Sequence, residues 1–374
     1  MASIPSPTPR PGRLPFNFCE PAFFSGLMDD PLLLVQVRPL GRGLLFDCGQ
    51  LHHLAKRVLR SIDAVFISHA HMDHFMGVDT LVRHVLVSPR TLDFYGPPGI
   101  AARFANKLGS YDWNLAEDFW CSFRVHEVHA HGLRTFMFRG PEGFACRFVA
   151  ERAHSSTGLH VNRYLRVDAD LCDHKIPVLI YRITELPGFA LDEGRMAVAG
   201  LVPGPWIKEL KQLFFAGDLQ GRRLRIPRGV GDAGPDAEET DAAALYERIR
   251  ARATPASIGY FTDLGLTPEN RRRLKDLLGG VTLLIGECTY LAQDEARARA
   301  AHHLCSTDIN VLLDELRPAW FLPMHLSKSY LGRSERLFRE LEPPAGTTIL
   351  RLPERLTPRP LIPADLPPAA RGRW

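Results

Sequence analysis

No Cys-x-x-Cys pair occurs in this 374-residue sequence, and its seven cysteines (Cys19, Cys48, Cys121, Cys146, Cys172, Cys288, Cys305) are odd in number and widely scattered. That argues against a disulfide framework and for a reducing compartment. The opening residues, Met-Ala-Ser-Ile-Pro-Ser-Pro-Thr-Pro-Arg-Pro, lack the apolar stretch of a signal peptide, and no segment is long and apolar enough to span a bilayer. The expectation is a soluble cytoplasmic protein. Neither sign of charge dominates: 46 Lys and Arg against 42 Asp and Glu leave +4. Such a balance permits a polyanionic substrate without arguing for one. Internal repeats are absent, and low complexity is confined to the proline-rich ends.

What remains is an ordinary globular composition, 45% hydrophobic and 24% charged, in a chain long enough for a sizeable core. Residues 1–15 and 352–374 read as loose arms around one domain at 16–351, with 228–256 as a surface insertion. Within that insertion, residues 236–253 have the acidic start and basic end of a polar helix. Strand-like runs at 32–37, 43–47, 91–95 and 123–128 alternate with helix-like stretches near 51–60 and 100–108. A mixed sheet sandwich with outer helices fits this rhythm better than a strictly alternating parallel sheet.

The chemistry concentrates in His69-Ala70-His71-Met72-Asp73-His74. The β-branched run 62–68 before it reads as a buried strand and 75–86 after it as a helix, so the six residues occupy a turn. Neighbouring side chains diverge on a turn, so His69 and His71 can address one ion while Asp73 and His74 address a second. Neutral imidazole and carboxylate suit Zn²⁺ best, with Mn²⁺ or Fe²⁺ admissible. The bland alternative is a histidine-rich surface loop, which the strand-turn-helix context disfavours.

Two ions need further ligands. Asp263 follows the apolar run 257–261, His325 follows 319–323, and His174 stands just ahead of a strand. Each has a competitor or a plainer reading. His154 competes with His174, and Asp218, in Ala216-Gly217-Asp218, competes with Asp263 but also reads as a turn residue. His302 and His303 are adjacent, so only one can face a common site. His126, His129 and His131 alternate in a strand-like region and read as an exposed face.

In order along residues 31–331, the segments Leu45-Phe46-Asp47-Cys48-Gly49, His-x-His-x-Asp-His, Tyr95-Gly96-Pro97-Pro98-Gly99, His174 to Glu185, Pro203-Gly204-Pro205, Phe261-Thr262-Asp263, Gly286-Glu287-Cys288-Thr289, His303-Leu304-Cys305-Ser306-Thr307 and Pro323-Met324-His325-Leu326-Ser327 resemble the metallo-β-lactamase superfamily, and within it ribonuclease Z, the tRNA 3′-processing endonuclease. The resemblance implies an αβ/βα sandwich, a homodimer, two zinc ions and a metal-activated water attacking a phosphodiester. It implies that His69, His71 and His174 hold one ion, that Asp73, His74 and His325 hold the other, and that Asp263 bridges them. By the same resemblance Asp73 also orients the attacking water, and His303 with Glu287 protonates the leaving oxygen. Lys208 and Lys211, after Pro203-Gly204-Pro205, match the arm with which ribonuclease Z grips tRNA, although an ordinary solvated helix start explains them equally well.

The chain also departs from that pattern. Its opening lacks the Gly-Thr-Gly turn and basic loop that help place an RNA end, Met72 replaces a glycine, Val78-Asp79 replaces Leu-Pro, and Thr262-Asp263-Leu264 replaces Gly-Asp-Thr. Hydrolysis of a smaller phosphodiester, ester or thioester is therefore the rival expectation. A non-catalytic nucleic-acid-binding relative is the third.

Overall fold

The early strands are apolar runs with a single polar or charged residue each, LLVQV at Leu33–Val37 and IDAVF at Ile62–Phe66, which is close to the pattern of strands buried on both faces. In the computed structural model, which describes residues 14–153, 157–227, 237–252 and 254–355, these runs form two sheets. The first has eight strands in sequence order: β1 (Cys19–Phe23), β2 (Leu33–Val37), β3 (Arg42–Phe46), β4 (Ile62–Phe66), β5 (Thr91–Gly96), β6 (Ser122–Val128), β7 (Gly132–Arg139) and β8 (Cys146–Ala153). Pairing is parallel from β3 to β6 and antiparallel at both ends. Helices α1 (Lys56–Ser61), α2 (Met72–Phe75), α3 (Val78–Val85) and α4 (Ile100–Leu108) occupy the connections between the parallel strands.

The second sheet begins with β9 (His160–Val161), β10 (Leu165–Asp173) and β11 (Pro177–Glu185). The chain then forms a separate unit, Leu186–Pro255, before returning. That unit holds α5 (Glu193–Val198), α6 (Pro205–Ala216), the hairpin of β12 (Arg223–Pro227) with β13 (Ala237–Asp241), and α7 (Ala242–Ile249). Its own core is built on Trp206, Leu210, Leu245 and Ile249. The expected helix at 236–253 is thus corrected to a strand followed by a shorter helix. Pairing with β12 overrides helix propensity as far as Asp241, whose side chain then caps α7 by accepting from the Ala244 N–H.

Back in the first unit, β14 (Ser257–Phe261), α8 (Pro268–Leu278), β15 (Leu283–Glu287), α9 (Glu295–Ala301), α10 (Ser306–Leu316), β16 (Trp320–Met324), α11 (Glu335–Glu340) and β17 (Thr348–Ile349) complete the sheet in the order β17-β16-β15-β14-β11-β10-β9. Strands β14 to β17 run parallel.

Side-chain alternation assigns the layers. Leu33, Val35, Phe46 and Phe66 meet Tyr181, Tyr260 and Ile285 between the sheets, whereas Leu34, Leu45 and Val65 pack outward on Leu81, Ile100 and Phe104 of the helices. On the far side, Ile180, Leu284 and Phe321 pack on Leu274, Ile309 and Leu312. Each such side chain contributes roughly 1.5–3 kcal/mol by leaving water. Helix, sheet, sheet and helix make the αβ/βα sandwich expected from the sequence.

His126 is not on an exposed face as its spacing suggested. It is 8% exposed, on β6, with its ring stacked on Tyr95 at 4.6 Å and its nitrogens bonded to Asp93 (3.1 Å) and Thr135 (3.0 Å). The inner face of this strand is apolar enough to pull the ring in, and those partners satisfy it. His131 is exposed and His129 half-buried, the latter 3.2 Å from Glu127. Among the described residues, no helix is long and apolar enough to cross a membrane. His154, residues 1–13, residues 228–236 and residues 356–374 lie outside the described residues.

Candidate metal centre

Parallel pairing aligns the carboxyl ends of β14, β15 and β16, because Phe261 pairs with Gly286 and Glu287 with Met324. Asp263, Glu287 and His325 therefore emerge along one rim. The His-rich turn follows β4, and His174 lies in the β10–β11 hairpin turn. Chain reversal at this rim is tight. Asp47, Asp263, His302 and His325 all adopt positive φ (56°, 40°, 57° and 62°), which costs on the order of 1 kcal/mol each for non-glycine residues. Gly49 and Gly77 permit the close approach of the motif to the β3 end. A Cβ on Gly49 would lie 2.4 Å from the Asp73 carbonyl, and one on Gly77 would lie 2.2 Å from the Gly49 carbonyl.

Three groups of donor atoms result, each within 4.8 Å: His69, His71, His174 and Asp263; Asp73, His74, Asp263 and His325; and Asp263, Glu287, His303 and His325. Asp263 belongs to all three. Its Oδ2 is 3.6 Å from His69 Nε2, 3.4 Å from His74 Nε2 and 3.9 Å from His174 Nε2, while its Oδ1 is 3.5 Å from His325 Nδ1. Asp73 Oδ2 reaches His325 Nε2 at 3.1 Å and His74 Nε2 at 3.6 Å.

Three of the rings are held from their outer nitrogens. His74 Nδ1–H donates to Asp47 (2.9 Å), His69 Nδ1–H to Ser68 Oγ (3.1 Å), and His174 Nδ1–H to the His302 carbonyl (2.7 Å). That fixes the tautomers and leaves the Nε2 lone pairs facing inward. His69 Nε2 and His74 Nε2 are fully buried and have no hydrogen-bond partner. Buried, unsatisfied acceptors are rare, and several converging on one carboxylate are the donor set of a cation site. The residues present therefore fit divalent metal ions.

Electrostatics agree with this. Burial, with the neighbouring His74, pushes the His69 imidazole down to about 2, so it is neutral and able to bind metal at pH 7. Burial opposes charge on His74, yet the Asp263 and Asp47 carboxylates overcome it and raise its proton affinity. The field that attracts a proton there attracts a cation equally. His303 Nδ1 lies 2.8 Å from Glu287, which outweighs burial and raises the imidazole to about 9. Glu287 is itself held by the Leu264 N–H (2.7 Å) and the Thr289 hydroxyl (2.6 Å).

The remaining sequence candidates fall elsewhere. The ring of His302 points toward Asp173 (3.7 Å), while its carbonyl serves His174. Asp218 pairs with Arg222 at the end of α6 in the second unit. Lys208 and Lys211 stand on the exposed face of that same helix. Met72 is 77% exposed, so the side chain in place of a glycine projects into solvent. Asp47, which bonds His74, has no role legible from its place in the sequence motifs. Its position after a buried strand was the available signal.

Residues 42–223 match the family model described as Beta-lactamase superfamily domain. The matched segment spans just under half of the chain, and the two-sheet architecture is that of the metallo-β-lactamase αβ/βα sandwich. The chain is similar to curated ribonuclease Z sequences. It is 29% identical to the Ribonuclease Z of Deinococcus radiodurans over 290 residues, covering 77% of this chain and 83% of that one. It is 24% identical to the Ribonuclease Z of Halalkalibacterium halodurans over 318 residues, covering 81% and 83%. The short form of human tRNase Z superposes with a TM-score of 0.48 at 13% identity, covering 88% of this chain and 96% of that one.

Proposed function

We propose that the chain is a phosphodiesterase of the ribonuclease Z type, acting on RNA with precursor tRNA as the leading substrate, and that it works with two divalent cations, zinc foremost. The observation that carries this reading is the Asp263 carboxylate shared by two donor groups whose buried His69 and His74 nitrogens lack partners. His69, His71 and His174 would hold one ion and Asp73, His74 and His325 the other, with Asp263 between. When bound, such a pair lowers the pKa of water and offsets negative charge gathering on phosphoryl oxygens.

The side chains supply the rest. Asp73 is 38% exposed at its side chain, so one of its oxygens can accept a hydrogen bond from the attacking water and orient it. Glu287 occupies His303 Nδ1, so the proton that His303 can donate to the departing oxygen sits on Nε2. In the second unit, Lys208 and Lys211 would contact RNA phosphates. A homodimer accompanies this reading through its family resemblance.

A second reading, hydrolysis of a small phosphodiester, ester or thioester, is favoured by one observation. Among the described residues, the connection from β1 to β2 lays Asp29 and Asp30 along the wall of the pocket that holds Asp73 and His325, with Lys328 beside them. Elemental analysis should find close to two metal ions per chain, and one or none would sink the two-ion arrangement. Cleavage of precursor tRNA beside bis-p-nitrophenyl phosphate separates the readings, since turnover of the second alone favours the smaller substrate.

A further inference from the structure

The donor groups of the metal centre are not equally accessible. His69, His74, His174 and Asp263 are buried, and the side chains of His303 and His325 are 14% and 17% exposed. His71 is exposed and the Asp73 side chain is 38% exposed, so the centre opens to solvent past these two. Met72 stands between them in the chain, where consecutive Cα atoms are about 3.8 Å apart.

Met72 projects into solvent, and Met76 is 43% exposed. The Met76 N–H donates to the Met72 carbonyl at 2.8 Å, which sets the two side chains one turn apart along the same side of α2. His74 and Phe75, between them, are buried and anchor the turn. Single exposed apolar residues are ordinary. Here two thioether side chains lie together beside the exposed ligands and form an apolar lip at the mouth of the centre. Apolar surface left in water gains nothing until a ligand covers it.

The ligand that reaches this mouth is the substrate. Methionine is unbranched and polarizable, and its sulfur contacts aromatic rings at about 5 Å. Every nucleobase offers a π face, so such a lip holds a base without reading its identity. Attacking and departing oxygens stand in line on opposite sides of phosphorus. Asp73 marks the attacking side and His303 the departing one, so a base on the lip belongs to the nucleoside that keeps the phosphate.

We propose that Met72 and Met76 are specificity-determining residues that hold the base of the nucleoside retaining the phosphate. The inference rests on the phosphodiesterase reading and narrows it to substrates whose base at that position is unpaired.

The test compares thymidine 5′-(p-nitrophenyl phosphate) with its abasic counterpart, which has hydrogen in place of thymine, on the zinc-loaded enzyme. Both release p-nitrophenol, so only the base differs. Wild type should favour the thymidine ester in kcat/KM by about tenfold, the scale of a sulfur–ring contact with its covered area. Met72→Ser should shrink that ratio below about threefold through KM, and Met72→Leu, which keeps the apolar surface, should preserve most of it. A wild-type ratio near one, a ratio indifferent to Met72→Ser, or a loss shared equally by both esters overturns the lip. If neither ester is hydrolysed, the phosphodiesterase reading fails on its own, and calorimetric titration with thymidine 5′-phosphate and deoxyribose 5-phosphate still decides the lip. A preference for the thymidine compound that Met72→Ser abolishes retains it, and no preference or no binding removes it.

Discussion

His74 Nδ1–H donates to Asp47 across 2.9 Å in a pocket where both residues are fully buried, although 27 positions separate them. Asp47 also accepts from the Ser68 N–H (2.7 Å), the Ser68 hydroxyl (2.9 Å) and the Tyr260 hydroxyl (2.7 Å). One carboxylate thus sets the tautomer of His74 and, through Ser68, that of His69. Removing it with Asp47→Ala should weaken binding of the more weakly held ion by about 10- to 100-fold. The stranded donors should cost about 1–3 kcal/mol as well. Zinc titration against a chromogenic chelator checks the first effect and urea unfolding the second; undiminished affinity would refute the assignment of Asp47 as a positioning residue.

The His303–Glu287 pair predicts a pH limb. A raised imidazole pKa means that the charged, proton-donating form persists through neutrality and is lost as pH climbs through about 9. Turnover should therefore fall above that pH. Glu287→Gln removes the chief raising charge and leaves burial opposed mainly by Asp263, so the basic limb should move down toward the ordinary histidine value. His303→Ala should reduce kcat by about 10²- to 10⁴-fold, with metal content retained. Equal loss of metal and turnover would make His303 a ligand instead.

Local spacing made part of this site legible. His69 to His74 sit on one turn, and Asp263 and His325 each close an apolar strand, so contiguous residues announced them. Asp47 was opaque because its role depends on Tyr260, 213 residues away, which only the pairing of the two sheets brings near. His126 misled for a similar reason. Alternation marks which residues share a face but not whether a second sheet covers it. The helix expected at 236–253 failed where a partner strand existed, since propensity is a weak prior against tertiary pairing.

Gly49 should be intolerant of any side chain. A Cβ there meets the Asp73 carbonyl at 2.4 Å and the Asp30 Cβ at 2.7 Å, neither of which can swing aside without moving the metal motif. Gly49→Ala should cost about 2–3 kcal/mol, in the upper range of overpacking, and lower metal occupancy at the same time. Gly217→Ala is the contrast. Nothing lies within 4 Å of its added Cβ, so only the strain of its φ of +71° is felt, and metal content should be unchanged. Thermal unfolding and elemental analysis of the two variants read both effects, and equal metal content in both would separate the glycine from the site.

RNA binding, if it runs through the second unit, should carry the signature of phosphate contacts. Lys208 and Lys211 lie one turn apart on the exposed face of α6. Each phosphate neutralised contributes about 0.7–0.9 to the slope of log affinity against log salt. The double change Lys208→Ala with Lys211→Ala should therefore flatten that slope by about 1.5 and weaken binding of unrelated RNA sequences to a similar degree. Filter binding of a precursor tRNA between low and physiological salt measures it. An unaltered slope would return α6 to the status of a solvated helix and shift weight to the small-substrate reading, since phosphate contacts along a long RNA would then lack this support.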